Sequence, residues 1–250
     1  MRAIILAAGE GSRLRPLTDN VPKCLVPYQG QPILDYQLDV LRQCGIDDIV
    51  LIKGFKADAL QRPDMTYVLN PEYADTNMVY TLFCAESYFD SDLLISYGDI
   101  IYEKSILDAV MASPAEFAVA VSLNWRELWE KRMADPLSDA ESMKIDERGL
   151  ITELGKKCSS YSQIQGQYMG LFKIKKSTVQ RMRQVYHQLD KNAIYDGKPF
   201  RKMFMTSFIQ ELIDRGFPVT AVGVTGDWLE IDNVADLNVV TNFKPGKTQT

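Results

Sequence analysis

The chain has 250 residues, is 46% hydrophobic and 24% charged, and so has the balance of a globular protein with one large domain or two small ones. Its net charge of −5, with no long basic run, argues against nucleic acid or an anionic membrane as partner. Any phosphate chemistry has to rest on a few placed cations and a metal ion.

Residues 2–7 form a short continuous apolar run, the pattern of a strand buried on both faces. The run is too short for a signal-peptide core or a bilayer span, so a soluble, cytoplasmic protein is expected. A Gly-rich turn follows at Ala8, Gly9, Glu10, Gly11 and Ser12, then a stretch punctuated by Pro16, Pro22 and Pro27. Residues 32–44 carry Ile33, Leu34, Leu38, Leu41 and Cys44 at helical spacing, with Gly45 as C-cap. Residues 48–53 read as a second buried strand. Strand, loop, helix and strand make a βαβ unit, which implies a parallel sheet with a right-handed crossover.

The alternation continues to the end of the chain. Further strands are predicted at 66–69, 92–97, 117–123, 168–174, 219–224 and 229–231. Helices are predicted at 78–87, 105–112, 177–189, 206–215 and 234–243. Residues 143–145 and 150–154 flank Glu147, Arg148 and Gly149, a hairpin turn. The expected architecture is a single α/β domain over residues 1–243, a three-layer αβα sandwich. Its Rossmann-like sheet is mostly parallel but mixed, with a small inserted β region, and residues 244–250 form a polar tail. The four cysteines, Cys24, Cys44, Cys84 and Cys158, include no C-x-x-C pair and read as reduced thiols.

The informative segment is Leu6, Ala7, Ala8, Gly9, Glu10, Gly11, Ser12, Arg13 and Leu14, followed by Pro16-Leu17-Thr18 and Pro22-Lys23. A Gly-rich turn at the end of a strand offers backbone N–H groups to a polyphosphate. Small residues let a nucleotide approach the backbone. Arg13 and Lys23 add a bidentate fork and a point charge. The segment is neither a dinucleotide fingerprint, because Arg15 stands where the third glycine would fall, nor a P-loop, because no G-K-[ST] follows. It resembles the signature of the sugar-phosphate and phosphocholine nucleotidyltransferase superfamily, L-A-A-G-x-G-[ST]-R-L-x-P-L-T followed by P-K.

That resemblance implies several roles. Arg13 and Lys23 would be the catalytic cations. The turn from Leu6 to Ser12, with Asn77, Tyr97 and Gly98, would hold the nucleotide. Asp99, after the strand at 92–97, and Asp232, near the C-terminus, would hold Mg²⁺, which suits a few carboxylates and several waters. Either aspartate alone reads as a turn or cap residue. An already ionised acceptor phosphate needs no general base, so His187, the only histidine and mid-helix, is expected to lie outside the chemistry. The stretch from Asn70 to Met78 departs from the hexose-1-phosphate pattern and looks like the phosphocholine and phosphonate cytidylyltransferases, which points to CTP. Asn77 either reads the cytosine edge or caps the following helix, and the two roles are compatible.

The acceptor region carries less signal. By resemblance Lys156 would contact the acceptor phosphate, and Arg126, Arg132 and Tyr168 would line its head-group site. Trp125 and Trp129, four apart on one helix face, read either as core or as part of that site. Segments at 76–83, 135–142, 167–172 and 205–208 resemble the CTP:phosphoglutamine cytidylyltransferases of capsule-modification pathways. The implied acceptor class is a phosphorylated amino acid, an amino-alcohol phosphate or an aminophosphonate. The alternatives are a sugar-1-phosphate enzyme using UTP or dTTP, a regulatory nucleotide-binding module, and a glycosyltransferase of similar architecture. Against the last, residues 97–100 lack a D-x-D pair.

Overall fold

The computed structural model describes residues 1–239. In chain order its principal elements are β1 (Arg2–Ala7), α1 (Ile33–Gln43), β2 (Ile49–Lys53), β3 (Thr66–Leu69), α2 (Met78–Cys84), β4 (Leu93–Tyr97) and β5 (Ile100–Tyr102). There follow α3 (Lys104–Ala112), β6 (Phe117–Ser122), α4 (Trp125–Arg132), β7 (Glu141–Ile145), β8 (Ile151–Lys157) and β9 (Gln167–Ile174). The last are α5 (Lys176–Gln188), α6 (Met205–Asp214), β10 (Thr220–Val224) and β11 (Trp228–Glu230).

Seven strands form the central sheet, in the order β10-β6-β9-β4-β1-β2-β3. Its pairings are parallel except at β9, which runs antiparallel to both β4 and β6. The continuous apolar runs are explained by burial on both faces: Ala3, Ile4, Ile5, Leu93, Leu94 and Ile95 are all fully buried. Alternate residues of one strand feed opposite layers. Ala3 and Ile5 pack with α1, α3 and α4, whereas Ile4 and Leu6 pack with α2, α5 and α6. The result is the expected three-layer α/β sandwich.

Chain order places the site. From β1 the chain moves outward to β2 and β3, then returns to β4 on the other side of β1. The crevice at the carboxyl ends of β1 and β4 is therefore a topological switch point, where open α/β sheets bind ligands. Because β9 is antiparallel, its beginning lies at that same end, with Leu171 opposite Ser96 and Phe172 opposite Ile95. Gln167 and Tyr168 are thereby carried to the crevice.

Three features differ from the sequence reading. Residues 78–87 are not one helix: α2 stops at Cys84, and a one-turn 3₁₀ helix follows at Glu86–Tyr88. The strand expected at 229–231 joins β5 in a separate antiparallel ladder rather than the main sheet. The final helix is a 3₁₀ segment, Val234–Asn238, and residues 240–243 and the tail lie outside the described residues. The inserted β region is the β7–β8 hairpin, turned by Gly149 at φ 80°. No helix among the described residues is long and apolar enough to cross a membrane.

Candidate active site

The glycine turn is held by its own signature. Gly11 adopts φ 66°, and a Cβ there would lie 2.9 Å from the Lys23 Cβ, so only glycine lets Lys23 pack beneath the turn. The buried Thr18 hydroxyl donates to the Gly11 carbonyl at 3.0 Å, and Leu14 is fully buried. Pro22, with no N–H to satisfy, precedes the one-turn helix Lys23–Leu25 and sends the lysine side chain back towards the sheet.

Asp99 and Asp232 meet through the short ladder. Ile100 of β5 lies opposite Glu230 of β11, and the Ile231 N–H donates to the Asp99 carbonyl at 3.0 Å. Oxygens of Asp99, Glu230 and Asp232 consequently fall within 4.8 Å of one another. The Lys23 ammonium bridges Asp99 and Asp232 at 2.7 Å each. Arg13 donates to Asp232 at 2.8 Å from a largely exposed position.

The cluster is electrostatically strained in both directions. Burial, together with the Asp232 and Asp99 carboxylates, pushes Glu230 up to about 8 despite Lys23 and Arg132. Burial also works against the Lys23 ammonium, but Asp99, Asp232 and Glu230 outweigh it and raise its pKa. For Asp232, burial is outweighed by Lys23, Arg13 and Arg132, so its carboxyl is held below the usual range.

Magnesium fits these residues. The donors are all carboxylate oxygens, and the buried Asp99 Oδ1 has no hydrogen-bond partner, so it has capacity for a cation. Asp99 and Asp232 would hold the ion, with Glu230 beside them.

A cavity of about 440 Å³ opens from this cluster. Among its lining residues are Gly9, Gly11, Ser12, Arg13, Lys23, Asn77, Tyr97, Asp99, Tyr168 and Asp232, all expected at the site. Asn77 lines the cavity and also caps α2, its Oδ1 accepting from the Met78 N–H at 2.8 Å. Other expected residues do not line this cavity. Leu6, Ala7 and Ala8 are buried at the strand end, and Glu10 pairs with Arg15. Gly98 is pressed against β1, its N–H donating to the Leu6 carbonyl at 2.9 Å, and a Cβ there would lie 2.7 Å from that oxygen.

The acceptor residues need more correction. Arg132 does not reach into the cavity. Its side chain is 2% exposed and braces the cluster from behind, at 2.9 Å from Asp236, 3.5 Å from Asp232 and 3.8 Å from Glu230. Arg126 stays on the surface, paired with Glu130 at 2.8 Å and stacked on Tyr161. Lys156 pairs with Asp196 at 2.5 Å in an adjoining cavity and does not line the one holding the carboxylates. Trp125 and Trp129 are both buried, edge to face at 5.9 Å. Trp129 also lines the cavity and donates its indole N–H to Asp139 at 3.0 Å. His187 pairs with Glu86 on the surface, outside the site.

The sequence reading missed the braces. Asp236, fully buried, accepts the backbone N–H groups of Asp232 and Asn233 at 2.7 and 2.9 Å. Gln37, 1% exposed on α1, donates to the Tyr97 and Ile100 carbonyls at 2.9 and 2.7 Å and accepts from the Ser96 hydroxyl at 2.9 Å. It clamps both ends of the turn that presents Asp99. A glutamine on the apolar face of an amphipathic helix was the one signal available. Gln37→Leu is expected to lose about 2–4 kcal/mol of stability, because buried backbone acceptors go unpaired. Chemical denaturation measures this, and a loss under about 0.5 kcal/mol would mean that the turn holds itself.

The model of the MobA-like NTP transferase domain matches residues 3–158. CTP:phosphoglutamine cytidylyltransferase of Campylobacter jejuni is 42% identical over 250 residues, covering 96% of this chain and 98% of that protein. Choline-phosphate cytidylyltransferase of Streptococcus pneumoniae is 36% identical over 107 residues, 41% of this chain and 47% of that protein. Among solved structures, the inositol-1-phosphate CTP transferase from T. maritima superposes with a TM-score of 0.74 at 22% identity, over 95% of this chain and 91% of that one. This last likeness is one of fold.

Proposed function

This chain belongs to the MobA-like NTP transferase family, and on that premise we propose that it transfers CMP from CTP to a small phosphorylated acceptor, releasing pyrophosphate. The observation that carries the reading is the Lys23 ammonium, bridging Asp99 and Asp232 at 2.7 Å each beside a glycine turn at the switch point. The choice of CTP and of an amine- or amino-acid-type acceptor is supported by the full-length similarity to the Campylobacter cytidylyltransferase.

The transfer needs a new bond between an acceptor oxygen and the α-phosphorus and rupture of the bond from that phosphorus to the leaving pyrophosphate. An acceptor phosphate oxygen is already ionised at neutral pH, so no residue has to remove a proton. The turn at residues 9–12 would cradle the triphosphate with backbone N–H groups. Arg13 and Lys23, which both donate to Asp232 Oδ1, would neutralise charge on the transferring phosphate. Asp236, Arg132 and Gln37 hold the two aspartates rigidly, so little reorganisation is needed during transfer. Magnesium, held by Asp99 and Asp232, would supply Lewis-acid neutralisation of the phosphates.

Pyrophosphate release tests this, with CTP, UTP, dTTP, ATP and GTP offered against phosphocholine, 2-aminoethylphosphonate, phosphoglutamine and several sugar-1-phosphates. Release is expected with CTP and an amine- or amino-acid-type acceptor. Release only from UTP or dTTP with a sugar-1-phosphate would overturn both donor and acceptor. Nucleotide binding without release from any pair would favour a regulatory module.

A further inference from the structure

Beside the main cavity lies a second one of about 480 Å³, and the two share Asp139, Glu141 and Phe204. The main cavity contains the Asp99–Asp232 cluster, so an acceptor whose phosphate lies there has room to extend its far end into this annex. The annex floor is the β7–β8 hairpin, and in its register Glu141 lies directly opposite Lys157. Residues opposed across a ladder have Cβ atoms about 4.5–5.5 Å apart and share a face. Opposite charges so placed normally pair. Here neither Glu141 nor Lys157 makes an ion pair among the described residues, while the neighbouring Lys156 is neutralised by Asp196 at 2.5 Å. Asp139 is held by the Trp129 indole at 3.0 Å and has no cation partner among the described residues.

Glu141 is also fixed in place. The buried Gln167 side chain accepts from the Glu141 N–H at 3.1 Å and donates to its carbonyl at 2.6 Å. The Glu141 carboxylate, sheltered and hydrogen-bonded by Thr206 but without a cation among the described residues, is costly to keep charged unless a ligand supplies one. Burial pushes its carboxyl upward, consistent with that cost.

We propose that the acceptor ends in an α-amino acid, its ammonium received by Glu141 and Asp139 and its carboxylate by Lys157. The ammonium and carboxylate of an amino acid sit on one carbon, so their receivers must be close neighbours of opposite sign, as Glu141 and Lys157 are. Phe204, shared by both cavities, would cover the apolar stem between phosphate and head group. An acceptor with an ammonium alone, such as phosphocholine, would leave Lys157 unanswered. The inference rests on the cytidylyltransferase reading and assigns the residues that choose among its acceptors.

The test is steady-state kinetics of the parent, Glu141→Gln and Lys157→Met with phosphoglutamine, its deaminated analogue, its α-carboxamide and phosphocholine. Thermal melting confirms that each variant is folded. Each variant is expected to raise KM for phosphoglutamine at least about tenfold, the scale of one lost charged hydrogen bond, with KM for CTP unchanged. Glu141→Gln should not affect the deaminated analogue, nor Lys157→Met the carboxamide, because each lacks the group the residue receives. Smaller rises with phosphoglutamine, or equal losses with the analogues, overturn the assignment. Turnover of CTP with phosphocholine in preference to phosphoglutamine overturns it and leaves the cytidylyltransferase reading intact. No turnover of CTP with any acceptor overturns both.

Discussion

Asp232→Asn is expected to slow pyrophosphate release by at least about a thousandfold, equivalent to about 4 kcal/mol of transition-state stabilisation. The substitution preserves shape and removes only charge. Asp232 is where the site's cations converge: Lys23 at 2.7 Å, Arg13 at 2.8 Å and Arg132 at 3.5 Å. With asparagine there, the proposed magnesium site would lose one of its two carboxylate ligands, and Arg13 would lose the charge it pairs with. The fold should survive, because Lys23 keeps Asp99 and Arg132 keeps Asp236. Pyrophosphate release at saturating substrates, with a Mn²⁺ titration of the free enzyme, checks both parts. A turnover within tenfold of the parent, or undiminished Mn²⁺ affinity, would remove Asp232 from the proposed metal site.

Lys23→Met should have the second largest effect, with turnover down about 10²–10³-fold because charge on the transferring phosphate goes unanswered. It also carries a stability signature that loss of a phosphate contact alone would not produce. Without the ammonium, Asp99, Glu230 and Asp232 face one another within 4.8 Å. Glu230, already pushed up to about 8 by burial and its neighbours, loses the cation that opposes that shift. A carboxyl whose folded pKa exceeds its unfolded value of about 4.3 stabilises the fold at low pH. That contribution is lost as pH rises through the folded pKa. The Tm of Lys23→Met, measured in chelator, should therefore fall relative to the parent above about pH 8, where Glu230 has ionised in the parent fold but not yet in the variant. Parallel Tm profiles would show that Lys23 does not hold the carboxylates together.

Much of this architecture was legible because its signals are local. The buried strands at β1, β2, β4 and β6 are unbroken apolar runs, and α1 announces itself by spacing and by Gly45. The glycine turn, Arg13, Lys23 and the two aspartates carry a recognisable pattern of residue types. Arg132 was misplaced for the opposite reason. An arginine beside tryptophans on a polar helix gives no local sign that its guanidinium points inward to a fully buried aspartate more than a hundred residues later.

By itself, the sequence determined the α/β alternation, the glycine turn and the identities of the residues that carry charge to the site, because each is written in neighbours a few positions apart. Tertiary structure alone decided how those residues meet. A three-residue strand has no period to read, yet the pairing of Ile100 with Glu230 is what sets Asp99 against Asp232. Nothing in residues 167–174 says that this strand runs against its neighbours, although that reversal brings Tyr168 and Gln167 to the crevice. Gln37, Asp236 and the opposed pair Glu141 and Lys157 acquire their roles only from what packs against them. Hydrogen bonds and ion pairs between distant segments depend on register and burial, and those are properties of the assembled sheet and its layers.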